Sequence, residues 1–117
     1  MFWTLRGLGR DTMSVLVWNC HGLGNPLRIL FGHKIMVSQD PTVVFLAETW
    51  LDEARLNSLL QNFVCDQKFF VSKINQGGGL ALLWRFDFDV KVVSSSLNHT
   101  DAVINSGKEN SWRFLGF

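Results

Sequence analysis

Two short runs, Ser14–Asn19 (SVLVWN) and Thr42–Ala47 (TVVFLA), are apolar almost throughout and rich in valine. Runs of this length and branching read as buried strands. Between them, Asn25-Pro26 supplies a helix start. Asn caps, and Pro takes the first helical position, where its missing N–H is not needed. Two strands joined through a helix are expected to be parallel, with a right-handed crossover. Their carboxyl ends then lie on one side of the sheet. Open α/β sheets bind ligands at that edge.

The remaining pattern extends this unit. The first helix is predicted to run to about Val37, with Leu27, Leu30, Phe31 and Ile35 on one face and Gly32 as a weak point. Gln39-Asp40-Pro41 stops it. Asp52 caps a second helix lined by Leu56, Leu59, Leu60 and Phe63. Lys68–Ile74 reads as a strand, Gly77-Gly78-Gly79 as a turn and Leu80–Trp84 as a further buried strand. From Trp84 to Val93 apolar and polar residues alternate. This fits one long strand, or two strands with a turn near Asp87. Ala102–Asn105 and Ser111–Phe117 look like a hairpin around Gly107. Alternating units followed by a run of strands predict an α/β (α+β) sandwich with a mixed sheet. Residues 1–13 read as an irregular lead-in, and residues 14–117 as one unit without a linker.

Composition narrows the function classes. Hydrophobic residues make up 47% of the 117, including five Trp and ten Phe. That argues for a large core and against disorder. It is also more apolar surface than a domain of this size easily covers. The net charge of +1 is no broad footprint for nucleic acid and leaves room only for a small local basic surface. Cys20 and Cys65 match no metal or redox spacing and read as free thiols, so no disulfide-linked partner is expected. No run is long enough to span a membrane, and the first residues lack the features of a signal peptide. An intracellular location is expected, with the nucleus a candidate compartment.

Each early strand ends next to one polar residue with chemical potential, Asn19 and Glu48. An amide and a carboxylate at the rim of a hydrophobic layer suit Mg²⁺, which takes few protein carboxylates and keeps its waters. The plainer alternative is that Asn19 closes a turn and Glu48 is solvated. Other constellations are weaker. Gly22-Leu23-Gly24-Asn25-Pro26-Leu27 starts like a dinucleotide fingerprint but has Leu at the third glycine position. Cys20 and His21 are adjacent and point to opposite faces on a strand, so they make poor joint zinc ligands. Asp87 and Asp89 alternate with Phe86 and Phe88, which reads as a solvated face or a turn. His99 sits in a turn-like segment.

LVWNCHGLGNP, PTVVFLAETWL, GGGLALLW, SSSLNHTDAVI and WRFLGF, in this order and spacing, resemble the endonuclease/exonuclease/phosphatase family. Within it they are most similar to the endonuclease domain of plant LINE-type non-LTR retrotransposons. The resemblance covers about residues 14–117. It implies the N-terminal part of a four-layer sandwich like that of deoxyribonuclease, and Mg²⁺-dependent hydrolysis of DNA phosphodiester bonds. Asn19 matches the Asn that helps position the phosphate. Glu48 matches the metal-binding Glu, with Asn19 a second candidate ligand. The family's later Tyr, Asp-x-Asn, Asp and Ser-Asp-His have no match in this chain, which contains no Tyr at all. The resemblance therefore implies a C-terminally truncated member with little or no activity, with DNA the partner of an intact parent. The alternatives are a non-catalytic remnant or binding module, or a phosphatase-type member acting on a phosphorylated small molecule.

Overall fold

The computed structural model describes residues 2–6, 14–62, 67–72, 77–85, 88–104 and 111–117. The strands are β1 (Phe2–Arg6), β2 (Ser14–Asn19), β3 (Val43–Ala47), β4 (Gln67–Val71), β5 (Leu80–Trp84), β6 (Val90–Ser95), β7 (Thr100–Ile104) and β8 (Trp112–Gly116). Helix α1 (Pro26–Gln39) joins β2 to β3, and α2 (Glu53–Leu59) lies between β3 and β4. Five strands form a mixed sheet in the order β1-β2-β3-β5-β4, and three form an antiparallel sheet in the order β6-β7-β8.

The expected parallel pair is present. β2 and β3 run side by side, with Val15 opposite Val43 and Asn19 opposite Ala47. Among the described residues, every other strand pairing is antiparallel. Both faces of the central strands are buried, which is why their sequences are apolar without alternation. Leu16, Trp18, Val44, Leu46, Ala81 and Leu83 pack with Met36, Leu56 and Leu60 from the helices. Val15, Val43, Phe45, Leu80 and Leu82 pack with Ala102 and Ile104 from the second sheet. The described residues thus form three layers: helices, mixed sheet and antiparallel sheet.

Both helix starts follow the sequence. The Asn25 side chain accepts from the Leu27 N–H at 2.9 Å, and Asp52 accepts from the Arg55 N–H at 2.9 Å. Each such cap stabilises its helix by about 1 kcal/mol. Asp40, left-handed at φ 46°, ends α1.

Three expectations need correction. The lead-in is not irregular over Phe2–Arg6, which pairs antiparallel with β2 as β1; residues 7–13 lie outside the described residues. Of the expected face of helix α1, Ile35 packs against the core, but Leu27, Leu30 and Phe31 do not dock. Leu27 is 74% exposed and Phe31 48%, whereas Gly32 and Met36 are buried. The reason is Gly32: a Cβ there would lie 2.5 Å from Trp18 Cζ3. The supposed weak point is where the helix backbone meets the Trp18 ring. The fourth strand covers Gln67–Val71 rather than Lys68–Ile74, and Ile74 lies outside the described residues. So do Phe63, Cys65, Asp87 and Gly107. The alternating segment is two strands, β5 and β6, with the Phe88 N–H donating to the Arg85 carbonyl between them at 3.1 Å.

In the second sheet, Arg113 grips Asp101 with two hydrogen bonds, Nε to Oδ1 at 3.0 Å and Nη2 to Oδ2 at 2.6 Å. The guanidinium holds the Asp101 carboxyl below its ordinary value of 3.8. A depressed carboxylate stabilises the fold above its unfolded pKa and loses that contribution as pH falls through the lower folded value. The melting-temperature difference between the native chain and Asp101→Asn is therefore expected to be largest near pH 6 and to shrink below about pH 4. A difference independent of pH would contradict this pairing.

Candidate functional site

The carboxyl ends of β2 and β3 and the start of β5 meet at one end of the mixed sheet, as the pairings of Asn19 with Ala47 and Ala47 with Leu80 require. The strand contacts continue into the loops. Cys20, Gly22 and Leu23 donate to the carbonyls of Ala47, Glu48 and Thr49 at 2.8–2.9 Å. Thr49 and Trp50 donate to the carbonyls of Gly79 and Gly78 at 3.1 and 2.9 Å. Three loops are thereby tied into one rim.

Glu48 sits at the centre of this rim, half-buried, with a left-handed backbone at φ 53°. That conformation is uncommon for a residue with a Cβ and is held here by its neighbours. Its Oε2 accepts from the Trp50 indole Nε1 at 2.9 Å and from the Gly78 N–H at 3.3 Å. Trp50, also left-handed at φ 58°, lays its ring over Gly22, where a Cβ would lie 2.4 Å from Trp50 Cε3. One carboxylate oxygen is thus fixed by two N–H donors.

Asn19, on the adjacent strand, has a buried Oδ1 with no hydrogen-bond partner among the described residues. A buried, unpaired amide oxygen is costly, and a bound ion or ligand is one of the things that can satisfy it. The structure places Asn19, the last residue of β2, and Glu48, the residue that follows β3, at the same end of the sheet. A carboxylate and an orphaned amide oxygen are hard oxygen donors, the type Mg²⁺ accepts. They fit a divalent cation as part of its coordination, not all of it. Among the described residues there is no cluster of three or more His, Cys, Asp or Glu that could hold a metal.

Cys20 is not a nucleophile here. It is buried, its Sγ lies 3.6 Å from the Trp18 carbonyl, and burial pushes its pKa up to about 12. A neutral thiol of this kind is inert. His21 is exposed and left-handed at φ 48°. Arg28 from α1 reaches back with Nη1 to the carbonyls of Cys20, His21 and Gly22, which pins this loop. Asp89 is exposed just before β6. His99 is held in the β6–β7 turn, its Nδ1 2.6 Å from Ser96 Oγ and its Nε2 3.3 Å from Ser94 Oγ.

Sequence reasoning missed Trp50, Gly78 and Arg28, the residues that position the rim. The only available signal for Trp50 was its place two residues after Glu48.

The described residues form a mixed α/β arrangement with a polar rim at the end of its parallel strand pair. The family model for the endonuclease/exonuclease/phosphatase family matches residues 16–117, and the chain belongs to that family. Its fold is similar to that of a 3′ phosphatase, NExo (D146N), from Neisseria, solved bound to a product DNA hairpin. The TM-score is 0.59 at 18% identity, covering 89% of this chain and 40% of that one. It is also similar to the AP endonuclease LMAP from Leishmania major, with TM-score 0.55, 15% identity and coverage of 97% and 38%. The chain therefore spans about two fifths of the length of these solved structures. No curated protein matches it. The family is in general divalent-metal dependent. No described helix is long and apolar enough to cross a membrane.

Proposed function

We propose that the Asn19–Glu48 rim is one edge of a Mg²⁺-dependent phosphodiesterase site for DNA. On this reading the chain derives from a LINE-type retrotransposon endonuclease of plants and hydrolyses little or nothing by itself. The observation that carries it is the Glu48 carboxylate, fixed by Trp50 Nε1 and the Gly78 N–H beside the unpaired Asn19 Oδ1. Glu48 and Asn19 would hold the cation. When bound, it would supply positive charge against a phosphate oxygen. The chain's own groups orient: Trp50 and Gly78 fix the carboxylate, and Asn19 offers its amide to the phosphate or the cation. The two solved relatives, a 3′ phosphatase and an AP endonuclease by name, support DNA phosphate esters as the substrate class.

Low activity follows from chemistry. Phosphoryl transfer depends on several charges and donors acting together. The 117 residues contain no Tyr and no Asp-x-Asn or Ser-Asp-His to supply the remaining groups. With Mg²⁺ and supercoiled plasmid, the purified chain and its Glu48→Ala variant are both expected at background nicking. Nicking that disappears in Glu48→Ala would overturn the inactivity and keep the site. Nicking untouched by Glu48→Ala would overturn the site itself.

A further inference from the structure

We propose that the outward face of helix α1 is a docking site for an amphipathic helix of a partner protein, one whose apolar stripe carries a glutamate or aspartate. The proposal concerns a surface apart from the Asn19–Glu48 rim and does not depend on how that rim is read.

Helix α1 is apolar on two opposite sides. One side packs on the mixed sheet: Gly32 and Met36 are buried, and Ile29 and Ile35 pack against the core. On the other side Leu27 is 74% exposed, Leu30 51% and Val37 60%. At 3.6 residues per turn, these three and the exposed Lys34 fall within a sector of about 80°, turned away from Gly32 and Met36. A helix with one apolar stripe needs one core, whereas a helix that is apolar all round is covered all round. The positions 27, 30, 34 and 37 alternate steps of three and four residues, the spacing by which two helices interlock along a seam. The seam is about 15 Å long at the helical rise, which suits a short helix laid along α1.

Charge selects the occupant. Lys34 sits inside the seam, between Leu30 and Val37, and not at its border. Helix α1 contains no Asp or Glu, and among the described residues Lys34 makes no ion pair. A second copy of α1 therefore brings no carboxylate. A parallel pair would set each Lys34 against its twin, and an antiparallel pair would bury it against leucine or valine, at the cost of an uncompensated charge. Asp40, just beyond the helix, already faces Arg85 at 4.0 Å. An anionic membrane fits less well, because helices that lie on membranes carry their cations on the polar face. A partner helix with a carboxylate opposite Lys34 covers the apolar seam and neutralises the ammonium. It also fixes the register, as a single polar seam residue does in paired helices.

The test is NMR titration of the ¹⁵N-labelled full chain with two synthetic helical peptides of about three heptads. Both carry leucine along the seam, with either glutamate or lysine at the seam position opposite Lys34. The native chain, Lys34→Glu and Leu30→Ser are compared, and thermal melting checks that each variant keeps its fold. The expected shifts centre on Leu27, Leu30, Lys34 and Val37. The native chain should prefer the glutamate peptide by about ten-fold or more, Lys34→Glu should reverse that preference, and Leu30→Ser should weaken both complexes. Absence of binding, equal affinity for the two peptides, or shifts centred away from α1 would overturn the proposal. A dimer of the native chain in sedimentation that Leu30→Ser abolishes would overturn it in favour of a second copy. Vesicles of phosphatidylcholine and phosphatidylserine that broaden the α1 amides when the glutamate peptide does not shift them would overturn it in favour of a membrane.

Discussion

Phe45→Ala is expected to destabilise the chain by about 3–5 kcal/mol, enough to unfold much of it if the total is near the low end of the usual 5–15 kcal/mol. Phe45 is 1% exposed on the central strand β3. Its ring meets Phe114 of β8 at a centroid distance of 5.3 Å, so it joins the mixed sheet to the antiparallel one. The cavity left by Ala could not collapse easily, because β3 is paired along both sides with β2 and β5. Urea unfolding measures this directly. Leu27→Ala, at a residue 74% exposed, is the control and should stay within about 0.5 kcal/mol. A Phe45→Ala midpoint matching that control would mean that the two sheets do not share this core.

Gly79→Ala is the second large effect, and it acts on the rim. Gly79 has φ +91°, and a Cβ there would lie 2.2 Å from Thr49 Oγ1 and 3.3 Å from the Trp50 nitrogen. The backbone conformation alone is worth about 1–3 kcal/mol against a side chain. The contact must also push the loop that carries Glu48. Gly77→Ala is the matched control, since a Cβ at Gly77 meets nothing within 4 Å. Gly79→Ala should lower both the melting temperature and cation affinity, and Gly77→Ala neither. Equal behaviour of the two variants would mean that the tie between the glycine turn and the Glu48 loop is not structural.

The parts of the fold that depend on local pattern were legible in the sequence. The apolar runs of β2 and β3, the Asn25-Pro26 and Asp52 helix starts and the parallel crossover need only burial, capping and handedness. Asn19 and Glu48 stood out because each closes an apolar strand. What was hidden depends on tertiary contact. Phe2–Arg6 becomes a strand by pairing with β2, and five residues next to glycines carry too short a pattern to show it. The docking face of α1 is chosen by Gly32 against Trp18, a close approach that favours the residue with the least apolar surface. Trp50 looks like core material in the sequence. Its indole N–H reaches Glu48 across a segment where Trp50 and Glu48 both take left-handed backbones, which residue type alone does not announce.

A divalent cation held by Glu48 and Asn19 at this end of the sheet, as proposed, would be seen by its effect on nearby amides. The most direct measurement is Mn²⁺ titration followed by paramagnetic broadening of the amide signals, with Mn²⁺ standing in for Mg²⁺, on the native chain and on Glu48→Gln. Broadening centred on Asn19, Glu48 and Gly78, and lost in a folded Glu48→Gln variant, is the expected result. Broadening centred elsewhere, or unchanged by Glu48→Gln, would contradict the account.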